Sequence, residues 1–272
     1  MAPRYINKLQ DQRVLIIGAS TGIGFAVAEA AIEHGAHVTL SSSNQEKINN
    51  AIQKLEAHVK ENQLPPRTIS GAVCDLANPS TLEDNIKNLL EFATKDGKID
   101  HIVFTAGDSY QMPTVENVTV EDISKAGMVR VTGGVILAKH LPKYINQSDN
   151  SSLTITGSTT YIRPKAGWSV INAANGSMEP LTRALAVDLQ PVRVNCVLPG
   201  FIKTELFDSF PQEAVPFMFE AMKKEALLDR VGTAAETAEA YLYFMKAAFT
   251  TGTSAVVDGG RLIANNQEGR KA

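Results

Sequence analysis

The feature that most constrains this chain is one run of residues, Ile16-Ile17-Gly18-Ala19-Ser20-Thr21-Gly22-Ile23-Gly24. An apolar stretch over 14–17 leads straight into the three glycines, and 25–32 then reads as an alanine-rich helix stopped at Gly35. Strand, tight turn and helix follow each other with no spare residues. Glycine lets the backbone reverse sharply and lets N–H groups at a helix start approach an anion, which the helix N-terminus favours. The spacing is Gly-x-x-x-Gly-x-Gly rather than Gly-x-Gly-x-x-Gly, so the general dinucleotide fingerprint is not met literally. An ordinary glycine loop remains the alternative until the segments that follow are read.

Those segments alternate. Strands are predicted over 36–40, 68–74, 99–105, 152–156 and 192–197, and helices over 45–60, 79–94, 120–141 and 171–189. Strands alternating with helices specify an α/β fold, a Rossmann-type doubly wound parallel sheet in three layers. A length of 272 residues, with 44% of them hydrophobic, suits one domain with a substantial core. No linker, repeat or low-complexity tract divides it. The net charge of −3, with basic residues scattered, leaves no footprint for nucleic acid or an anionic membrane surface. Residues 1–13 are polar without an apolar targeting core, and no run approaches membrane-spanning length. Cys74 and Cys196, the two cysteines, read as reduced buried fillers, so the expected compartment is cytoplasmic. No metal site is expected.

The end of the second strand tests the cofactor type. An NAD-preferring site offers Asp or Glu there for the ribose hydroxyls, whereas this chain has Ser41-Ser42-Ser43-Asn44. Hydroxyls and the following helix N-terminus accept a phosphate, and no carboxylate opposes it, which favours NADP(H). A plain turn made by the same serines is the competing reading.

These residues resemble the short-chain dehydrogenase/reductase family over nearly the whole chain. Gly18-Ala19-Ser20-Thr21-Gly22-Ile23-Gly24 stands where the family has its glycine motif. Asp75-Leu76 matches its adenine-holding pair, and Thr105-Ala106-Gly107 stands where Asn-Ala-Gly is usual. Arg193-Val194-Asn195 with Pro199-Gly200-Phe201-Ile202-Lys203-Thr204 is similar to the segment that grips the nicotinamide carboxamide. Asp258-Gly259-Gly260 is similar to the C-terminal signature. The resemblance implies a homotetramer or homodimer.

It also implies a Ser, a Tyr, a Lys four residues after the Tyr, and an Asn on an earlier helix, with Tyr as proton donor and Lys lowering its pKa. Ser158 is in place at the end of the fifth strand, but Ile171 falls at the Tyr position, Asn175 at the Lys position and Arg130 at the Asn position. Isoleucine has no proton to give and asparagine carries no charge. Tyr161 lies only three residues past Ser158, the wrong spacing for a substitute donor. The cofactor site is therefore expected to be intact and the proton relay missing. An iminium carbon accepts hydride and becomes neutral without a proton, whereas a ketone builds an alkoxide that this site lacks the means to protonate. Arg130 suits an anionic or carbonyl-bearing substrate. A salt bridge or a contact to the cofactor phosphate would use the same side chain.

Three features bear on the substrate. Arg163-Pro164-Lys165-Ala166-Gly167-Trp168 lies in a loop that borders the active site in the family. Trp168, the single tryptophan, suits stacking on a flat ring or simple packing, and Lys165 a local acid or a solvated loop charge. The stretch 204–230 holds Phe207, Phe210, Phe217, Met218, Phe219 and Met222 where the family has its substrate lid. Such a surface fits a hydrophobic polycyclic molecule, or equally a subunit contact. Together these residues resemble a divergent fungal group similar to the bifunctional reductase/Diels–Alderases of prenylated indole alkaloid biosynthesis. That group has an aspartate two or three residues before the tryptophan, where this chain has Lys165-Ala166. The expectation is an NADP(H)-dependent reductase of specialised metabolism acting on an activated C=N, with Arg130, Ser158, Lys165 and Trp168 on the reaction side. A non-redox cyclase or isomerase, or an inactive NADP-binding scaffold, would keep the same glycine motif.

Overall fold

In the computed structural model, which describes residues 5–107 and 113–264, Val-, Ile- and Leu-rich runs form a sheet buried on both faces. The order is β1 (Arg13–Ile17), α1 (Gly22–Glu33), β2 (His37–Ser42), α2 (Gln45–Glu61), β3 (Ile69–Val73), α3 (Leu82–Ala93) and β4 (His101–Phe104). It continues with α4 (Val120–Lys125), α5 (Gly133–Tyr144), β5 (Ser152–Thr156), α6 (Ser169–Asn175), α7 (Met178–Asp188) and β6 (Arg193–Pro199). Last come β7 (Ile202–Lys203), α8 (Val215–Lys223), β8 (Gly232–Thr233), α9 (Ala234–Lys246) and β9 (Ser254–Val257). Seven strands pair in the order β3-β2-β1-β4-β5-β6-β9, each neighbour parallel. Helices α1, α2 and α9 cover one face, and α3, α5 and α7 the other. The order reverses between β1 and β4, so a crevice opens beyond the C-terminal ends of those strands.

Three predicted boundaries need correction. Strand β2 runs on through Ser41 and Ser42, because Ser41 pairs with both Ile17 and Ala72 and Ser42 with Val73. The single helix expected over 120–141 is broken at Gly127, whose φ of +80° ends α4. A π-helical turn, Met128–Thr132, then leads into α5. A Cβ at Gly127 would stand 3.2 Å from Ala174 Cβ, so the break lets this turn press on α6. The helix expected over 171–189 divides at Gly176-Ser177, where the Ser177 hydroxyl donates to Ala174 O at 2.6 Å and satisfies a terminal carbonyl of α6.

The core has one buried charge that only distant backbone satisfies. Arg193, 3% exposed, donates to Asp149 O at 2.6 Å, Phe244 O at 2.7 Å, Met245 O at 3.1 Å and Thr250 O at 3.2 Å. Cys74 and Cys196 are free and buried, and burial pushes both thiols up to about 12. Among the described residues no helix is long and apolar enough to cross a membrane.

Candidate active site

The glycine turn is held from both sides by backbone. Gly18 N and Ala19 N each donate to Ser41 O at 2.9 Å, and Ala106 N donates to Ile17 O at 2.9 Å. The Thr105 hydroxyl, at the position where the family has Asn, bridges Ile17 O and Gly18 O at 3.1 Å. Gly18 has φ +92°, and a Cβ there would lie 2.4 Å from Ala106 N; one at Gly24 would lie 2.3 Å from Gly18 O. No side chain larger than hydrogen fits either place.

Helix α1 opens toward the crevice with its own cap unmade. The Thr21 side chain makes no capping bond and the first turn holds no acidic residue. Gly22 N instead donates at 2.9 Å to Oε2 of Glu205, an anion brought from far along the chain. Thr204 stands against the same glycine, since a Cβ on Gly22 would lie 3.2 Å from the threonine methyl. A helix-start backbone N–H that already holds a carboxylate, beside a closed glycine turn, fits the phosphates of a dinucleotide.

The serines divide. Ser20 Oγ donates to Ser42 Oγ at 3.1 Å, and Asn44 caps α2 by accepting from Lys47 N at 3.0 Å. Ser41, by contrast, is fully buried with its hydroxyl unbonded, because it faces inward from the extended β2. Of the three serines expected to meet a phosphate, Ser41 is thus turned inward, leaving Ser42 and Ser43 with Asn44 at the helix start. Asp75 accepts from Ala77 N at 2.9 Å, and Leu76 is buried in the core. Pro199 ends β6, Gly200 N donates to Val257 O at 2.8 Å, and Ile202 is buried.

On the other side of the crevice the π-helical turn aims Arg130 inward. It is 7% exposed and donates through Nη1 to Asn175 Oδ1 at 2.7 Å. The guanidinium packs close against Gly107: a Cβ there would come within 2.4 Å of Nη2. Asn175 is 4% exposed, and its Nδ2 has no hydrogen-bond partner among the described residues, leaving both N–H donors of that amide over. Asn175, at the position where the family resemblance puts a cofactor-holding Lys, is bonded to Arg130. Ile171 is buried where a tyrosine would stand. Ser158, at the end of β5, is 5% exposed and accepts from Thr160 N at 3.2 Å. The Tyr161 hydroxyl bonds Glu179, and burial, then that carboxylate, raises its pKa, which makes it a poorer acid than a free tyrosine.

Lys165 and Trp168 belong to a cluster that sequence alone only half revealed. Lys165 pairs with Glu225, which also accepts from Arg261 Nε at 2.9 Å. The Phe201 ring lies between the two cations, 4.9 Å from Lys165 Nζ and 4.7 Å from Arg261 Cζ, and Trp168 meets it edge-on at 6.4 Å. Lys165, read from the sequence as either a local acid or a solvated loop charge, is tied to Glu225 in the structure. Glu225, Arg261 and Glu205 were missed, because their partners sit at least 36 positions away in the chain. In the aromatic segment Phe207 packs on Phe219 at 4.8 Å and Phe210 at 5.9 Å, while Phe217 stays 78% exposed.

With this geometry in hand, known proteins can be set beside it. Residues 5–264 match the family described as an SDR-like Rossmann domain. The short-chain dehydrogenase/reductase malC of Malbranchea aurantiaca is 39% identical over 265 residues, covering 97% of this chain and 100% of that protein. Short-chain dehydrogenase/reductase ucsE of an Acremonium species is 37% identical, covering 97% and 100%. The structure of the MalC reductase/Diels-Alderase superposes with a TM-score of 0.91 at 38% identity, covering 95% of this chain and 99% of that one. A short-chain dehydrogenase/reductase from Mycobacterium ulcerans gives 0.81 at 25% identity, covering 93% and 90%.

Proposed function

The chain belongs to the short-chain dehydrogenase/reductase family, and on that premise we propose that it is an NADP(H)-dependent reductase of specialised metabolism whose acceptor is an activated C=N. The observation that carries this reading is the buried Arg130–Asn175 pair at the two positions next to Ile171 where the proton relay belongs, beside a glycine cradle that keeps its shape. A relative of known structure is described as a reductase/Diels-Alderase, which supports a reduction step and makes a cycloaddition the companion reading.

The residues that would hold the dinucleotide are Gly18 to Gly24 at the phosphates and Ser42, Ser43 and Asn44 at the 2′-phosphate. Asp75 would serve the adenine, and Gly200 and Thr204 the nicotinamide end. When bound, NADPH supplies a hydride. The chain's own residues then explain the choice of acceptor. An iminium carbon that takes two electrons returns the C=N pair to nitrogen and ends neutral, so no side chain has to give a proton. A ketone oxygen would need one, and Ile171 and Asn175 have none to give. Arg130, its direction fixed by Asn175 and by the close contact with Gly107, grips a carbonyl oxygen of the substrate. Ser158 orients the same molecule. The Trp168–Phe201 edge and the aromatic segment 204–230, acting as a lid, supply an apolar wall for a polycyclic ligand. A homodimer or homotetramer is part of the proposal, supported by Val135 on α5 and Val187 on α7, apolar residues facing outward.

The test is NADPH consumption by the purified protein with a cyclic indole-derived iminium and, in parallel, with a panel of ketones. Turnover with the iminium and at least about a hundredfold less with ketones is expected, the scale of a missing general acid. Efficient ketone reduction would refute the lost relay, and cyclised product without NADPH loss would favour the non-redox cyclase.

A further inference from the structure

The N-terminus of helix α1 adjoins the glycine turn read above as the pyrophosphate site, and a carboxylate of the protein already bonds there. Gly22 N donates to Glu205 Oε2 at 2.9 Å, while Thr21 makes no capping bond and no acidic side chain lies in the first turn. Glu205 is not an isolated surface residue. It opens the 3₁₀ turn Glu205–Ser209, in which Phe207 N donates to Thr204 O at 3.2 Å. The buried Phe207 side chain packs on Phe219 of α8. Moving the carboxylate therefore moves the turn and the aromatic residues fixed to it. The other end of the same segment is tied independently, because Glu225 is held between Lys165 and Arg261.

We propose that Glu205 is an internal competitor for the pyrophosphate of the cofactor, and that its displacement releases the front of the 204–230 segment, which then turns about the Glu225 anchor. One backbone N–H cannot serve a carboxylate and a phosphate oxygen together, and the two anions repel at contact distance. Binding of the dinucleotide thus costs the Gly22–Glu205 bond, and the loss falls equally on NADPH and NADH because both carry the pyrophosphate. Nucleotide occupancy and the freedom of the aromatic segment become two readouts of one contact. The inference rests on the dinucleotide reading above, and the experiment keeps the two apart.

Glu205→Gln keeps the size of the side chain and removes its charge. Calorimetry of NADPH, NADH and inorganic pyrophosphate should show each bound about three- to tenfold more tightly by the variant, the worth of one exposed hydrogen bond, with the NADPH to NADH ratio unchanged. Amide hydrogen exchange over 205–210 should accelerate when inorganic pyrophosphate is added to the wild type. In Glu205→Gln it should be fast from the start and respond little. Unchanged or weaker binding of all three probes by a variant of unchanged melting temperature would overturn the proposal, as would exchange at 205–210 that ignores pyrophosphate. Failure of both proteins to bind either dinucleotide would overturn the dinucleotide reading itself and this inference with it.

Discussion

The two sides of the crevice are built on different principles. The nucleotide side is made of main chain: Gly18, Ala19 and Ala106 are tied to carbonyls of neighbouring strands, and glycine is needed because atoms of β1 and of the segment after β4 fill the space. The reaction side is made of side chains from separate elements, with Arg130 from a π-helical turn, Asn175 from α6 and Ser158 from the end of β5. A backbone cradle tolerates almost no substitution, so it changes slowly in shape and purpose. A set of converging side chains can exchange a proton relay for a guanidinium–amide pair while the sheet beneath stays as it is. Binding and chemistry are thus separable in this fold, and a chain can keep the first while rewriting the second.

Five single variants break or sharpen that contrast. The largest effect is expected from Gly18→Ala, which forces φ +92° on an L-residue and pushes a methyl to within 2.4 Å of Ala106 N. A stability loss of about 3 kcal/mol or more, with dinucleotide binding abolished, should appear in denaturant titration and calorimetry. A mild phenotype would mean that the cradle is less rigid than its contacts imply.

Next comes the guanidinium. Arg130→Ala should lower turnover of the iminium at least about tenfold while NADPH affinity holds, since one charged contact to the reacting molecule is worth ~2–4 kcal/mol. Stability should fall by about 1–2 kcal/mol, because Asn175 Oδ1 loses its buried donor. Gly107→Ala should imitate the turnover defect by displacing Nη2. If it acts through Arg130, the double variant is no worse than Arg130→Ala alone, and an additive loss would refute the link.

Ser42→Asp reaches only cofactor choice. It should weaken NADPH by about 1–3 kcal/mol and spare NADH, as expected of a carboxylate set against a phosphate. Equal affinities in the wild type would end the NADP(H) preference. The smallest effect belongs to Tyr161→Phe. Because that hydroxyl is engaged by Glu179 and its pKa is raised, iminium turnover should change by less than about twofold. A collapse in rate would identify Tyr161 as the missing donor after all.

How far each side could be read from the sequence follows from the same difference. The sheet was legible because its strands are continuous apolar runs, and the fifth falls on 152–156 as expected. The glycine turn was legible because only one residue type satisfies it. The break at Gly127 was not, since apolar residues continue through it and only contact with Ala174 explains the kink. Arg130 and Asn175 were each found by position, but nothing in the chain says that they bond across 45 residues. Ser41 misled, because a serine reads as polar and outward until the strand is seen to carry it inward. Glu225 and Arg261 carry no local pattern at all, and their pairing exists only after the chain has folded.

Arg193 sets a condition on how the chain comes to be folded at all. Its strand, β6, lies in the middle of the sequence order, yet three of the carbonyls that neutralise its guanidinium belong to Phe244, Met245 and Thr250. During synthesis β6 leaves the ribosome roughly fifty residues before those acceptors do. Until they arrive, seating β6 beside β5 would bury a guanidinium with only the Asp149 and Asn150 carbonyls to accept from it, a costly state. A chain ending before residue 250 would lack the Thr250 carbonyl and strand β9, and so would carry the glycine turn without the completed seven-stranded sheet.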